Sequence, residues 1–427
     1  MKEKKMNMEN NTILFVMPRL PFPATSGRKT SLYHYCRILS KELGFRLIVA
    51  AFLENDDDPS LKPDFIKEII ILPKPSGKVK IANIIKDSIL LRNKPMQVSL
   101  YWNKSAKKII DEIVSNEKPA FVIADMVRTT EYIRDLHSVR IADLDDRISI
   151  RYKRQMETDM GGINPYGAYL STLPDFLQKI MLWAPVKNLV VKNEIALLNK
   201  YELEMGRICE HTVFVAQGEA TSFNDEIGSK KALAIPIGVD IDYFNHQISI
   251  EKSPLIGFLG AMNVAHNEYA AINFISNILP IILQEKPECK FMVIGGGASE
   301  RLLKYKSENV IFTGRVDDVR EYLGKCKVFV CPMIFGSGIK TKNLEAMSMR
   351  LPVVTTSIGA ENIHAISGKD WIVADKATDF ADSVIALIDD EKMCEKIGQN
   401  ARKFILSNYT WDVAKEQFSK LLFIGKK

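Results

Sequence analysis

Residues that build metal clusters are few in this chain, and runs that could cross a membrane are missing. Its 427 residues include six cysteines (Cys36, Cys209, Cys289, Cys326, Cys331 and Cys394) and six histidines. No two cysteines form a C-x-x-C pair and none stands at a zinc spacing with histidine, so reduced thiols, no disulfide and no metal site are expected. No apolar run reaches the roughly 18 residues of a membrane span. The opening MKEKKMNMENN is polar and runs straight into TILFVMP, without the apolar core or cleavage site of a secretory signal. Together these absences predict a cytoplasmic protein. The excess of one charge sign is also small: 58 Lys and Arg against 52 Asp and Glu give a net charge of +6, and there is no nucleic-acid motif and no aromatic stacking pattern, which argues against a nucleic-acid partner.

What the chain does have is hydrophobic residue in bulk, 46% against 26% charged, enough for two cores. Apolar strand-like runs alternate with stretches of helical period, the pattern of parallel sheets covered by helices, so the fold class is α/β. The predicted strands are 13–18, 46–52, 68–73, 120–125, 139–145 and 211–216, then 255–261, 290–295, 310–314, 328–333 and 352–356. Helical spacing covers 173–207, 267–285, 317–325, 343–349, 376–388 and 391–407. Pro236 and Gly238 interrupt the pattern within 234–246, which reads as a linker. Two Rossmann-like domains follow, 11–238 and 239–409, with a terminal helix at 410–424 that packs back on the first.

In open parallel sheets ligands sit outside the carboxyl ends of the strands. After VFVCPM comes FGSGIKTKNLEAM, residues 335–347. Glycine lets backbone N–H groups approach a ligand, lysine adds positive charge, and a helix N-terminus adds its partial charge, all suited to phosphate. Glu345 does not suit phosphate, but it suits a vicinal diol. Taken singly, Lys340 and Lys342 fit helix-end solvation and Glu345 fits a first-turn carboxylate; their combination points to phosphates plus a ribose, hence a nucleotide. The stretch is not a P-loop, because Ile339 separates Gly338 from Lys340, and Gly295-x-Gly297 lacks the third glycine and the acid about twenty residues on of a dinucleotide site.

GSGIKTKNLEAMSMRLPVVTTSIGAENI resembles the donor-site signature of glycosyltransferase family 4. The likeness extends to FLGAM, VIFTGRVDDVREYL, IPIGVDIDYF and PRLPFPATSGRKTSLYH, and is strongest toward the sugar transferases of exopolysaccharide systems associated with PEP-CTERM and exosortase sorting. It implies the GT-B fold, two facing Rossmann-like domains around a cleft. It also implies metal-free, cofactor-free transfer of a sugar from a nucleotide-diphosphate sugar with retention of configuration. By that resemblance Glu345 binds the ribose, and Gly338, Ile339, Lys340 and Lys342 hold the diphosphate. Arg315 and Val316, expected to start a helix, read the base. Gly27 approaches the donor, with Lys29 beside it.

Departures from the pattern are equally specific. The first glutamate of the family's E-x7-E motif falls at Ser337. The usual Arg and Lys after the first strand of the second domain fall near Met262 and Asn267, so Lys340, Lys342, Arg28 or Lys29 would have to supply the charge. No histidine ends VRIADLD; Asp145 and Asp146 stand there as the candidates for touching the reacting centre, unless one simply pairs with Arg147. His34, His211, His246, His266 and His364 read as structural.

The acceptor implied is a glycan or a lipid-linked glycan. Segments 77–108 and 178–192 mix Lys and Arg with Ile, Leu, Tyr and Trp. They read either as a basic face over core residues or as a surface for peripheral contact with the cytoplasmic face of the inner membrane. Two other functions share the nucleotide site: a GT-B-like epimerase acting on a nucleotide sugar, and a non-catalytic nucleotide-sugar binder.

Overall fold

The computed structural model describes residues 11–24, 27–157, 183–245, 254–336 and 338–423. Two compact units emerge, Met1–Pro236 joined by Ala414–Lys427, and Ile237–Val413.

The first unit is built on a seven-stranded sheet, all neighbours parallel, in the order β3-β2-β1-β4-β5-β6-β7. Its strands are β1 (Thr12–Met17), β2 (Arg46–Ala51), β3 (Glu68–Ile71), β4 (Phe121–Asp125), β5 (Val139–Asp145), β6 (His211–Phe214) and β7 (Ala232–Ala234). All six residues of β1 are buried, as expected for a central parallel strand with helices on both faces. β7, only three residues long, has too little periodicity to announce itself and was not predicted. Of the long helix expected over 173–207, the described part is Ala184–Ile208.

The second unit carries a six-stranded parallel sheet in the order β10-β9-β8-β11-β12-β13. Its strands are β8 (Leu255–Leu259), β9 (Lys290–Ile294), β10 (Val310–Gly314), β11 (Val328–Cys331), β12 (Val353–Thr355) and β13 (Ile372–Val373). The segment opening this unit is tied down locally: the Arg402 guanidinium donates to the carbonyls of Ile241 (2.9 Å), Phe244 (3.1 Å) and Ser348 (2.6 Å). Phe418 in the terminal helix Trp411–Phe423 meets the Tyr35 ring at 5.0 Å, within the first unit.

Two local expectations need correction. The helix predicted over 317–325 is only Arg320–Leu323. Asp318 accepts from the Arg320 N–H at 2.9 Å and turns the chain before a helix can start, so Arg315 and Val316 lie in irregular backbone after β10. The glycine run after β9 makes a tight turn before the short helix Glu300–Leu303. Gly295 has φ +128°, and a Cβ there would stand 2.1 Å from the Gly260 carbonyl oxygen. Glycine is needed because the ends of β8 and β9 nearly touch.

Candidate functional site

At the carboxyl ends of β8 and β11 the second unit gathers most of the predicted donor residues. Gly336 (φ +125°) and Gly338 (φ +73°) let the loop after β11 double back, and nothing lies within 4 Å of where a Gly338 side chain would point. Lys340 follows at the N-cap of the helix Thr341–Ser348, whose first turn has no side-chain cap. Its ammonium donates to the Gly338 carbonyl at 2.7 Å and is almost wholly buried. Ile339 packs half-buried on the core beneath. Ser337 lies outside the described residues.

Lys342 lies two residues further, in the first turn of the same helix. Its Nζ donates to Asn267 Oδ1 at 2.6 Å and sits 4.5 Å from the centre of the Phe258 ring. The Asn267 amide is oriented by its own donation to the Ala261 carbonyl at 3.0 Å, which leaves Oδ1 facing the lysine. Asn267 therefore brings in a cation it cannot itself provide, while Met262 is fully buried in the core. Burial lowers the Lys342 pKa, and Glu345 pulls the other way.

Glu345 is half-buried and makes no side-chain hydrogen bond among the described residues. Burial pushes its carboxyl up to about 7, with Lys342 only partly offsetting the cost. A carboxylate held in such a place gains from any ligand that donates hydrogen bonds to it.

His266 belongs to this group as well, although its sequence context gave no reason to place it there. The would-be Cβ of Gly336 lies 3.8 Å from His266 Cβ. Burial, then Lys342 and Lys340, lower its pKa to about 4, so it stays neutral at physiological pH. The signal available in the sequence was position alone, since His266 follows the first strand of the second unit. Arg315 is exposed and Val316 packs on the core, both after β10.

The strand ends of the first unit hold a different cluster. Arg28 donates to Asp125 Oδ1, to Asp143 Oδ2 at 2.8 Å and to Asp145 Oδ1 at 2.9 Å. One guanidinium faces three carboxylates. Burial raises the Asp143 pKa to about 7 and also raises that of Asp125. Asp125 Oδ2 and Asp143 Oδ1 are buried without hydrogen-bond partners. Asp145 adopts a left-handed backbone, φ +67°, where the β5–β6 register shifts. Asp146 accepts from Arg151 Nη1 at 2.9 Å.

Neither aspartate pairs with Arg147, which turns instead to Glu226 (2.6 Å), Glu202 (3.3 Å) and Asn199 (2.6 Å). Lys29 is likewise committed to carboxylates of its own unit. Its ammonium, 2% exposed, is held by Asp56 at 2.8 Å and Asp57 at 2.7 Å, so its charge is spent within the first unit. Arg28 is spent in the same way. Gly27, in contrast, is exposed, has no neighbour within 4 Å of a would-be Cβ and needs no unusual φ, so nothing in the fold itself asks for glycine there.

With this geometry in hand, the likeness to known proteins becomes informative. Solved structures align over nearly the whole chain. Anabaena HepE in complex with UDP has a TM-score of 0.63 at 13% identity, covering 96% of this chain and 99% of that one. S. aureus TarM, solved with UDP and alpha-GlcNAc-glycerol, has a TM-score of 0.64 at 11% identity, covering 96% and 100%. The fold is GT-B. Within it, residues 253–390 match the family described as "Glycosyl transferases group 1", the stretch that contains Asn267, Lys342 and Glu345. Among curated proteins, an uncharacterized 44.6 kDa protein in the cps region of Klebsiella pneumoniae is 30% identical over 174 residues, 38% of this chain and 44% of that protein. The capsular polysaccharide biosynthesis glycosyltransferase CapM of Staphylococcus aureus is 26% identical over 151 residues, 33% and 39% respectively. The chain thus spans less than half the length of these relatives.

Proposed function

We propose that this GT-B chain is a retaining, metal-independent glycosyltransferase of family 4, of hexosyltransferase type. It moves a sugar from a nucleotide-diphosphate sugar to a glycan or lipid-linked acceptor in surface polysaccharide biosynthesis, most similar in role to the PEP-CTERM-associated exopolysaccharide transferases. The observation that carries the reading is the pairing of Lys342 with the neutral Asn267 one helical turn from the unbonded Glu345 carboxylate. A lysine held by an amide oxygen is oriented without being neutralised. It can receive a diphosphate while Glu345 accepts from the ribose hydroxyls. The UDP bound to HepE and to TarM is consistent with such a donor.

In this scheme Lys342, Lys340 and the amides from Gly338 to Lys340 stabilise charge as it grows on the leaving diphosphate. Arg315 and Val316 read the base, and Gly27 allows close approach of the donor. Preorganised charge of this kind acts most strongly away from water. Asp145 and Asp146 are the carboxylates offered to the oxocarbenium-like sugar. The departing phosphate takes the acceptor proton on the same face, so no covalent enzyme intermediate is needed. The two cations do the work a metal would otherwise do.

The test is incubation of the protein with a panel of nucleotide sugars, with products separated by chromatography. Free nucleoside diphosphate, released by slow hydrolysis or by transfer to an added acceptor, is the expected outcome. A changed sugar still attached to its nucleotide would mean an epimerase, and binding without turnover would mean a non-catalytic binder.

A further inference from the structure

One helix in the first unit is packed inside out. Gly77–Asn83 continues without a break through Ile84–Leu90. Its non-basic polar side chains face inward: Asn83 donates to the Ser99 and Trp102 carbonyls, Ser88 bonds Ser99, and Asp87 and Ser88 are 5% and 1% exposed. Its apolar side chains face out. Ile81, Ile85 and Ile89 are 46%, 47% and 59% exposed, and Leu90 and Leu91 just beyond are 72% and 57% exposed. Such a helix loses free energy in water unless something apolar covers it.

Leu189, 70% exposed on the helix Ala184–Ile208, extends the same face, and Trp183 is 63% exposed at its start. Between the two helices lies a cavity of about 620 Å³. Ile89, Met96, Leu189 and Ala196 line it, with Arg92 and Lys192 among them. That volume is within the roughly 300–1,000 Å³ of small-molecule sites. Charge distinguishes this face from an ordinary protein interface. Lys74, Lys78, Lys80, Lys86 and Arg92 lie in the first stretch with one acid, Asp87, which is buried beside Lys94, and Trp183–Asn193 adds Lys187 and Lys192 with no acid. Lys94 itself is held by Glu131 at 3.1 Å and is not part of the face.

We infer that this face seats on an anionic phospholipid bilayer, with a lipid hydrocarbon tail entering the groove between Ile89 and Leu189 while Arg92 and Lys192 meet the headgroup phosphate. An apolar ridge flanked by cations gains from both burial of hydrocarbon and attraction to negative lipid, whereas a protein partner would have to bring a matching acidic rim. The inference is independent of the donor chemistry, because all its residues lie in the first unit and none belongs to the nucleotide site.

Flotation of the full chain with phosphatidylglycerol-containing vesicles, against vesicles of phosphatidylcholine alone, tests it. Binding to the anionic vesicles should be about tenfold stronger or more and should fall at high salt. Leu90→Asp with Leu91→Asp should abolish it. Lys86→Glu with Arg92→Glu should weaken it about tenfold. Both pairs are exposed, so circular dichroism and nucleotide binding should be unchanged, and a failure here would leave the transferase reading untouched. Brominated acyl chains should quench tryptophan emission in the wild type, and Trp183→Phe should lose most of that quenching. Equal binding to neutral vesicles, no binding, no quenching, or a solution dimer that the aspartate pair dissociates would each overturn the inference.

Discussion

The strand ends of the two sheets share a topology and differ in charge. In the first unit, Asp125, Asp143, Asp145 and Asp146 crowd the rim. Burial, then Asp146 and Asp145, raise the nearby Glu219 carboxyl to about 7. In the second unit the rim offers Lys340, Lys342 and a neutral His266 around one carboxylate. The difference lies less in how many cations each rim has than in what holds them. Arg28 and Lys29 are bonded to carboxylates and their charge is consumed by the fold. Lys342 is bonded to an amide oxygen, which fixes its direction and leaves its charge available, and Lys340 donates to a carbonyl.

The sharpest way to break this comparison is Arg28→Ala. It leaves three carboxylates without their shared cation, and we expect a loss of roughly 3–5 kcal/mol in urea unfolding. Should stability hold and only nucleotide affinity fall, Arg28 would be a ligand-binding residue and the contrast would fail. Next in size is Lys342→Met, for which we expect about a 10- to 100-fold loss of affinity for a nucleoside diphosphate with little change in melting temperature. The loss for the monophosphate should be smaller, measured by calorimetry.

Glu345→Gln should act in opposite directions on binding and stability. We expect about tenfold weaker nucleotide-sugar binding, from the lost charged acceptor. Because the folded carboxyl titrates near 7, above its ordinary range, the folded state holds an extra proton between the two values. The contribution of Glu345 to stability is therefore full below about pH 4.5 and is lost as pH rises through 7. The glutamine variant should be more stable than wild type at pH 8, by roughly 1–2 kcal/mol after allowing for partial exposure, with the difference closing toward pH 4. Wild-type affinity should itself rise as pH passes 7 and the carboxylate forms. The smallest effect concerns His266. Saturation with nucleoside diphosphate should raise its pKa from about 4 by about one unit, read from its ring proton shifts, because an anion now offsets Lys342 and Lys340. A fixed value would place the anion elsewhere.

Much of the fold was readable in the sequence because buried parallel strands are written as apolar runs. Leu14, Val16 and their neighbours announce β1, and Phe329 to Cys331 announce β11, with the helices 377–389 and 391–408 close to their predicted limits. The two- and three-residue strands β13 and β7 were not legible, since so few residues carry no period. The loop proposed to hold the nucleotide stands out in the sequence because glycine, lysine and a helix start lie within a few residues of one another. His266 and the Asn267–Lys342 bond were not, because the partners are 75 residues apart and meet only when β8 and β11 pair. The basic, apolar stretch 77–94 was ambiguous for another reason. Its composition fits a core helix and a surface helix equally well, and only the inward turn of Asn83, Asp87 and Ser88 shows which side faces out.

The sequence by itself determined two α/β units and a loop at 338–342 that joins glycine and lysine to a helix start, because hydrophobic period and glycine placement are local properties. Which lysines keep their charge, which acid is left without a donor, and which face of a helix meets water were decided by the tertiary structure alone. Those properties depend on what chain segments far apart in sequence bring against each side chain, and the cost of burying a charge is set by that company.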